Sequence, residues 1–197
     1  ISIVFKKYNE DSREIVRKII HIGIGPLIPL AQFLNINQNS ALIFTGIVSL
    51  MVFINYNYKL FPTIEDVDRK SYGTLFYCLS LFILIYLFWD KDPYALITGF
   101  FIMTFGDGLA GSIGKSLKSK SWTFLKQKKS LFGTMTMFLT SLIVVCSIGY
   151  TQQNSLNLNY FTIAFFATLI EQFSILGIDN FMVPIFSALL FNFAITN

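Results

Sequence analysis

Charge is scarce in this chain. Only 13% of its 197 residues are Asp, Glu, Lys or Arg, about half the share carried by a soluble domain. That leaves too little polar surface to cover a water-soluble globule, so a soluble enzyme is excluded. Histidine occurs once, at His21, and cysteine twice, at Cys78 and Cys146. Both cysteines lie inside apolar runs, far from any CxxC spacing. A disulfide framework and a zinc knuckle are therefore ruled out, and each reads as a small buried or lipid-facing hydrophobe. No cleavable signal is visible: the first apolar run begins near Ile19 and carries His21, Pro26 and Pro29, unlike a plain h-region before a small-residue cleavage site. The chain opens on Ile1 in place of methionine, so residues before it are expected. Long linkers are also missing. The Asn-rich segments at 35–39 and 152–159 are short polar loops, and one domain, 1–197, is expected.

What is abundant is apolar. Hydrophobic residues make up 54% of the chain, 22 of them are Phe, and mean hydropathy is +0.60. A spanning helix needs about 20 mostly apolar residues. Seven stretches come close, at 19–36, 41–56, 74–89, 94–111, 131–150, 160–176 and 181–195. None alternates with the period of a barrel strand, so the expected fold is all-α, a polytopic membrane bundle of about seven helices.

The net charge of +4 would raise nucleic acid as a partner in a soluble protein. Its placement along this chain says otherwise. Lys6, Lys7, Arg13, Arg17 and Lys18 lie before the first span, and Lys59, Arg69 and Lys70 follow the second. Lys115, Lys118, Lys120, Lys126, Lys128 and Lys129 follow the fourth. If the spans alternate, fourteen of the fifteen cations share one face and only Lys91 lies opposite. By the positive-inside rule the N-terminus is cytoplasmic (or stromal), the partner is the bilayer, and no nucleic acid is expected. Residues 1–18 read as a basic interfacial arm. Within it Asp11-Ser-Arg-Glu14 fits a capping box, and Ile15, Val16, Ile19 and Ile20 form an apolar stripe.

Ionisable residues within spans mark function by default. Here these are Asp107, Glu171 and, just past its span, Asp179, with His21 at the start of the first span. All four fall on the lysine-bearing face. Asp107 lies in Phe105-Gly-Asp-Gly-Leu-Ala-Gly-Ser-Ile-Gly-Lys115, where glycines at 106, 108, 111 and 114 strip bulk from around one carboxylate. On a helix Asp107, Gly111 and Lys115 follow at i, i+4 steps. A metal-bound polyphosphate needs such a patch: a hard oxygen for Mg²⁺, an ammonium for phosphate, and Gly108 and Gly111 for close approach. The bland alternative is helix packing through the Gly106–Ala110–Gly114 stripe, and both can hold. The letters of a dinucleotide fingerprint at Gly106-x-Gly108-x-x-Gly111 lack the strand and the later acid that motif requires.

Two further segments open spans in the same way. Lys128-Lys-Ser-Leu-Phe-Gly-Thr134 offers Lys128, Lys129, Ser130, Gly133 and Thr134, with Ser130 placed to cap the helix. Arg69-Lys-Ser-Tyr-Gly-Thr74 offers Arg69, Lys70 and Ser71. Two helix N-termini with basic pairs make a candidate phosphate cradle, although basic residues before a cap also open any inward-facing span. Glu171 and the Asp179-Asn180 turn before Pro184 are candidates for a second metal ligand, making Asp107 and Glu171 the metal pair, or for the base of a hydroxyl nucleophile.

Taken in order, Arg17-Lys-Ile-Ile-His21-Ile-Gly, Arg69-Lys-Ser-Tyr-Gly-Thr74, Gly106-Asp-Gly-Leu-Ala, Lys129-Ser-Leu-Phe-Gly-Thr134 and Glu171 with Asp179-Asn-x-x-x-x-Pro184 resemble the phytol kinases. These sit within the larger group of polyprenol and dolichol kinases and CDP-diacylglycerol synthases, and the resemblance runs from about residue 13 to 188. It implies CTP-dependent phosphorylation of an isoprenoid alcohol, typically phytol, in tocopherol synthesis. The setting it implies is a bacterial plasma or thylakoid membrane, or a plastid membrane. Phe132 stands where the dolichol kinases and CDP-diacylglycerol synthases usually have Glu, which favours the phytol branch. On this reading Asp107 holds Mg²⁺, Lys115 and Lys129 stabilise developing charge, and Arg17 and His21 line the mouth. Glu171 or Asp179 takes the alcohol proton. A cytidylyltransferase making a CDP-activated lipid, and a small multi-pass transporter, are the alternatives.

Overall fold

The computed structural model describes residues 21–58, 72–124, 127–153, 155 and 157–196. The basic arm with Arg17, and the segment with Arg69, Lys70 and Ser71, lie outside these. Residues 21–24 are helical and turn at Gly25–Pro26 into α1, Leu27–Phe33. There follow α2, Gln38–Tyr58, and α3, Gly73–Phe88. Helix α4, Pro93–Ser116, is α-helical at Pro93–Phe101 and Gly108–Ser116 but π-helical over Ile102–Asp107. Two short strands, β1 (Ser121–Phe124) and β2 (Gln127–Ser130), precede α5, Leu131–Gln153. Helices α6, Asn159–Phe173, and α7, Asp179–Thr196, complete the order.

The described residues are largely helical, and among them four helices, α2, α4, α5 and α7, are long and apolar enough to cross a membrane. Helix α3 is apolar but has 16 residues, and α6 has 15. The span expected at 19–36 breaks at Gly25–Pro26 among its described residues, leaving a helix of seven. Apolar side chains cover the outside: Phe44, Ile47 and Met51 on α2, Leu139 and Ile143 on α5, and Phe161 and Phe165 on α6 are all exposed. Such a surface suits hydrocarbon, where polar groups must find partners inside the chain. Accordingly Thr45, Ser49 and Thr168 donate to the carbonyls of Ala41, Thr45 and Ala164 four residues back, at 2.7–2.8 Å.

Helix α7 is central, packing against α3, α4 and α6, while α5 packs against α4 and α6. Lipid gives little hydrophobic drive between helices, so close contact depends on small residues. A Cβ on Gly99 of α4 would lie 2.2 Å from the Pro184 carbonyl and 2.8 Å from Ala188 Cβ on α7. On Gly106 it would lie 2.8 Å from Met137 Sδ of α5, and on Gly114 2.7 Å from Ser130 Oγ. The Gly106–Ala110–Gly114 stripe is thus a packing seam against α5. Because Gly99 meets backbone, Gly99→Ala is expected to cost about 1–3 kcal/mol despite its better helix propensity. Thermal unfolding in detergent checks this.

The β1–β2 hairpin is an addition to the expected all-α fold. Its pairing is antiparallel, with Ser121 opposite Ser130 and Trp122 opposite Lys129. Four-residue strands carry too little alternation to be read from sequence, and the lysines in this segment pointed to a plain charged loop.

Candidate active site

Helices α4, α5, α6 and α7 meet the hairpin at one end of the bundle. The π-helical turn of α4 ends on Asp107, and π-turns within α-helices frequently occur at functional sites. Asp107 is half-buried and makes no capping bond with its side chain. Gly108 follows because Ile22 presses on it: a Cβ there would lie 2.8 Å from Ile22 Cγ1. From Gly108 on α4 is regular, so Gly111 and Lys115 continue from Asp107 at i, i+4 steps. Gly111 is half-buried and Lys115 exposed.

Lys129 and Lys128 neighbour each other on β2, and the strand pleat sends them opposite ways. Lys128 is exposed. Lys129 forms a salt bridge with Glu171 of α6, the two side chains 11% and 8% exposed. Lys129 Nζ also donates to the Glu171 backbone carbonyl at 2.9 Å. The other Glu171 oxygen, Oε2, accepts from Gln172 Nε2 at 2.8 Å. Gln172 Nε2 is also 2.8 Å from Thr134 Oγ1, and Thr134 in turn donates to the Ser130 carbonyl at 3.1 Å. The Lys129–Thr134 segment and the Glu171-Gln172 pair therefore interlock. Thr134 thereby braces the Gln172 amide that holds Glu171 Oε2.

Ser130 caps α5 as the sequence suggested: its Oγ accepts from Gly133 N and donates to the Gly114 carbonyl, both at 3.2 Å. The two preceding amides are also engaged. Leu131 N donates to the Lys120 carbonyl at 2.9 Å and Phe132 N to Ser119 Oγ at 3.3 Å. What the α5 terminus can offer an anion in this arrangement is dipole and lysine charge, with its first amides already bonded. Gly133 is buried, with a Cβ position 3.1 Å from the Ala110 carbonyl.

The turn between α6 and α7 brings in the remaining acid. Asp179 begins α7, and its Oδ1 accepts from Asn180 N at 3.0 Å. Asn180 Nδ2 donates to the Gly73 carbonyl at 3.0 Å, and Tyr72 N donates to the Leu176 carbonyl at 3.0 Å. The start of α3 is thereby fastened to the same turn. The hairpin is fastened there too: Phe124 meets Phe173 edge-on at 5.3 Å, and the Gln127 amide, oriented to match its neighbours, donates to the Ser174 carbonyl and accepts from Leu176 N. Electrostatically Asp179 feels Asp107, Lys129 and Glu171, and Glu171 feels Asp107. Three carboxylates from two helices and a helix start thus act on one another, and two of them, Glu171 and Asp179, lie in the field of Lys129.

Among the candidates named from sequence, Asp107, Lys129, Glu171, Asp179 and Asn180 come together. Lys115 and Lys128 sit on the exposed rim. His21 meets Tyr77 of α3 ring to ring at 4.3 Å with the planes tilted by 53°, and the Tyr77 hydroxyl donates to the His21 carbonyl at 3.1 Å. That places His21 beside Gly108. Gln172 and Tyr77 were not foreseen. The only signal for Gln172 was its adjacency to Glu171, and Tyr77 gave none within an apolar run.

Comparison with known proteins gives one consistent answer. The chain is 35% identical over 181 residues to the phytol kinase of Synechocystis sp., covering 90% of this chain and 78% of that protein. It is 26% identical over 202 residues to the chloroplastic phytol kinase 1 of Arabidopsis thaliana, covering 91% and 66%. A probable chloroplastic phytol kinase 1 of Oryza sativa subsp. japonica is 27% identical over 140 residues, covering 65% and 44%. No protein-family model matches the chain, and no solved structure does.

Proposed function

The chain belongs to the phytol kinase family, whose members are phosphotransferases with an alcohol acceptor. From that premise we propose that it transfers a phosphoryl group from CTP, or another nucleoside triphosphate, to phytol or a related isoprenoid alcohol. The site is the acid-and-lysine end of a multi-pass membrane bundle. The observation that carries this reading is the meeting of Asp107, Glu171 and Asp179, on three elements far apart in sequence, with Lys129 beside the latter two.

The donor set suits a hard divalent cation: several carboxylates with a single buried lysine between them. Among the described residues no three His, Cys, Asp or Glu side chains close into a cage, and Mg²⁺ in nucleotide sites is held by one or two carboxylates plus substrate phosphates. Asp107 and Glu171 are the residues that would hold it, and once bound it would neutralise charge on the β- and γ-phosphates. The chain's own side chains do the rest. Lys129 supplies positive charge at the transferring phosphoryl group, and exposed Lys115 and Lys128 draw the nucleotide to the rim. Asp179 accepts the proton of the attacking hydroxyl. Arg17, His21, Arg69, Lys70 and Ser71 are proposed to complete the nucleotide mouth. Seven spans with this face cytoplasmic or stromal follow from the cation distribution, and a plasma, thylakoid or plastid membrane is the proposed setting.

Membranes containing the protein, supplied with labelled CTP or ATP and with phytol, farnesol or geranylgeraniol, should yield a labelled alcohol phosphate. Failure to label any of the three alcohols would sink the kinase reading. Pyrophosphate release from an already phosphorylated lipid would point to cytidylyl transfer, and solute flux in proteoliposomes without nucleotide turnover would point to a transporter.

A further inference from the structure

A cavity of about 400 Å³ lies between α6 and α7, lined by Phe166, Ile170, Met182, Phe186 and Leu190. Every wall residue is apolar. Phe166, Met182 and Phe186 are also exposed on the outer surface, so the groove opens sideways toward the surrounding hydrocarbon. Along α7, Asp179, Met182, Phe186 and Leu190 recur at i, i+3, i+7 and i+11, which places a carboxylate at the head of an apolar stripe. Along α6, Phe166 and Ile170 form the facing wall, and Ile170 directly precedes Glu171. From Met182 to Leu190 the groove descends about 12 Å away from the acids.

We infer that this groove seats the hydrocarbon tail of the alcohol, with Asp179 meeting its hydroxyl; the inference rests on the kinase reading above. Charge decides the occupant. A phospholipid lying in the groove would bring a phosphate with no cation of its own against Asp179 at the head of the stripe, where like charges repel. The nucleotide's phosphates would instead arrive with their cation and meet Lys129. An uncharged alcohol brings a hydroxyl, which donates to a carboxylate, while its branched chain fills the apolar wall. The substrate therefore enters laterally from the bilayer without its tail crossing water. The α6–α7 side chains also set which chains fit: Phe166 and Phe186 bound the groove at mid-depth and Leu190 at its far end.

Two measurements test this. Filling the groove with Phe186→Trp or Leu190→Phe should raise KM for phytol about tenfold, with kcat for the alcohol that does bind little changed. In the wild type, a diazirine-bearing isoprenoid alcohol should crosslink to residues of the 166–170 and 182–190 segments, and excess phytol should suppress the labelling. Asp179→Asn should keep the crosslink and lose turnover. A wild type that phosphorylates phytol while the label maps to other helices overturns the groove assignment and leaves the kinase intact. A wild type that phosphorylates no isoprenoid alcohol overturns the kinase reading itself. Because crosslinking uses the unaltered protein, poorly folding variants do not remove the test.

Discussion

Asp107→Asn is expected to reduce alcohol phosphorylation by about 10²–10³-fold while leaving the fold intact. Two observations set the sign and the contrast. The Asp107 side chain makes no capping hydrogen bond for the helix that follows it, and Asn matches its shape, so little structural energy depends on the charge. Catalysis is another matter, because the proposed roles of Asp107 all require an anion: a hard ligand for a nucleotide-borne cation, facing Glu171 and Asp179 across the site. Turnover with saturating nucleotide and phytol, measured alongside the unfolding temperature in the same detergent, separates the two. A variant with full activity would show that the glycine-flanked carboxylate is only a seam residue.

Lys129→Met is expected to damage both quantities. Removing one partner of a buried ion pair costs about 3–5 kcal/mol, because the other charge is left without compensation. Glu171 is 8% exposed on its side chain and would retain only the Gln172 donor at Oε2. The double variant Lys129→Met/Glu171→Gln removes both charges, and most of the lost stability should return. Activity should not return with it, since the ammonium proposed to act at the phosphoryl group is still missing. Chemical or thermal unfolding gives the coupling energy by a double-mutant cycle. If the double variant recovers turnover together with stability, Lys129 and Glu171 form a structural strut and take no part in transfer.

How much of this was legible in the sequence differs by residue, for physical reasons. Asp107 stood out because a carboxylate among glycines in an apolar run is costly without a use. The helical class and the membrane setting followed from apolar runs of spanning length without strand alternation, and Ser130 as a cap followed from its place before an apolar run. The pairing of Lys129 with Glu171 was hidden: the two are 42 positions apart, and periodicity reports on one helix at a time. Both were named as ligand-facing candidates, and the ion pair between them is an added feature. The Thr134–Gln172 contact was hidden for the same reason, since this hydrogen bond joins α5 to α6. The hairpin was invisible because its strands are four residues long. The resemblance to phytol kinases, carried by short motifs in order, agrees with the whole-chain comparisons, yet it could not say which motif touches which.

One detail of α4 has a mechanical meaning. In an uninterrupted α-helix, residues seven apart return to nearly the same face. Gly99 and Gly106 are seven apart, yet Gly99 is pressed against Pro184 and Ala188 of α7 while Gly106 is pressed against Met137 of α5. The π-helical turn at Ile102–Asp107 begins between them and takes in Gly106. It works like a vernier, letting one continuous rod mesh with two neighbours at two different angular settings. Asp107 is the last tooth of that adjustment, so its aim is fixed by how both gears engage.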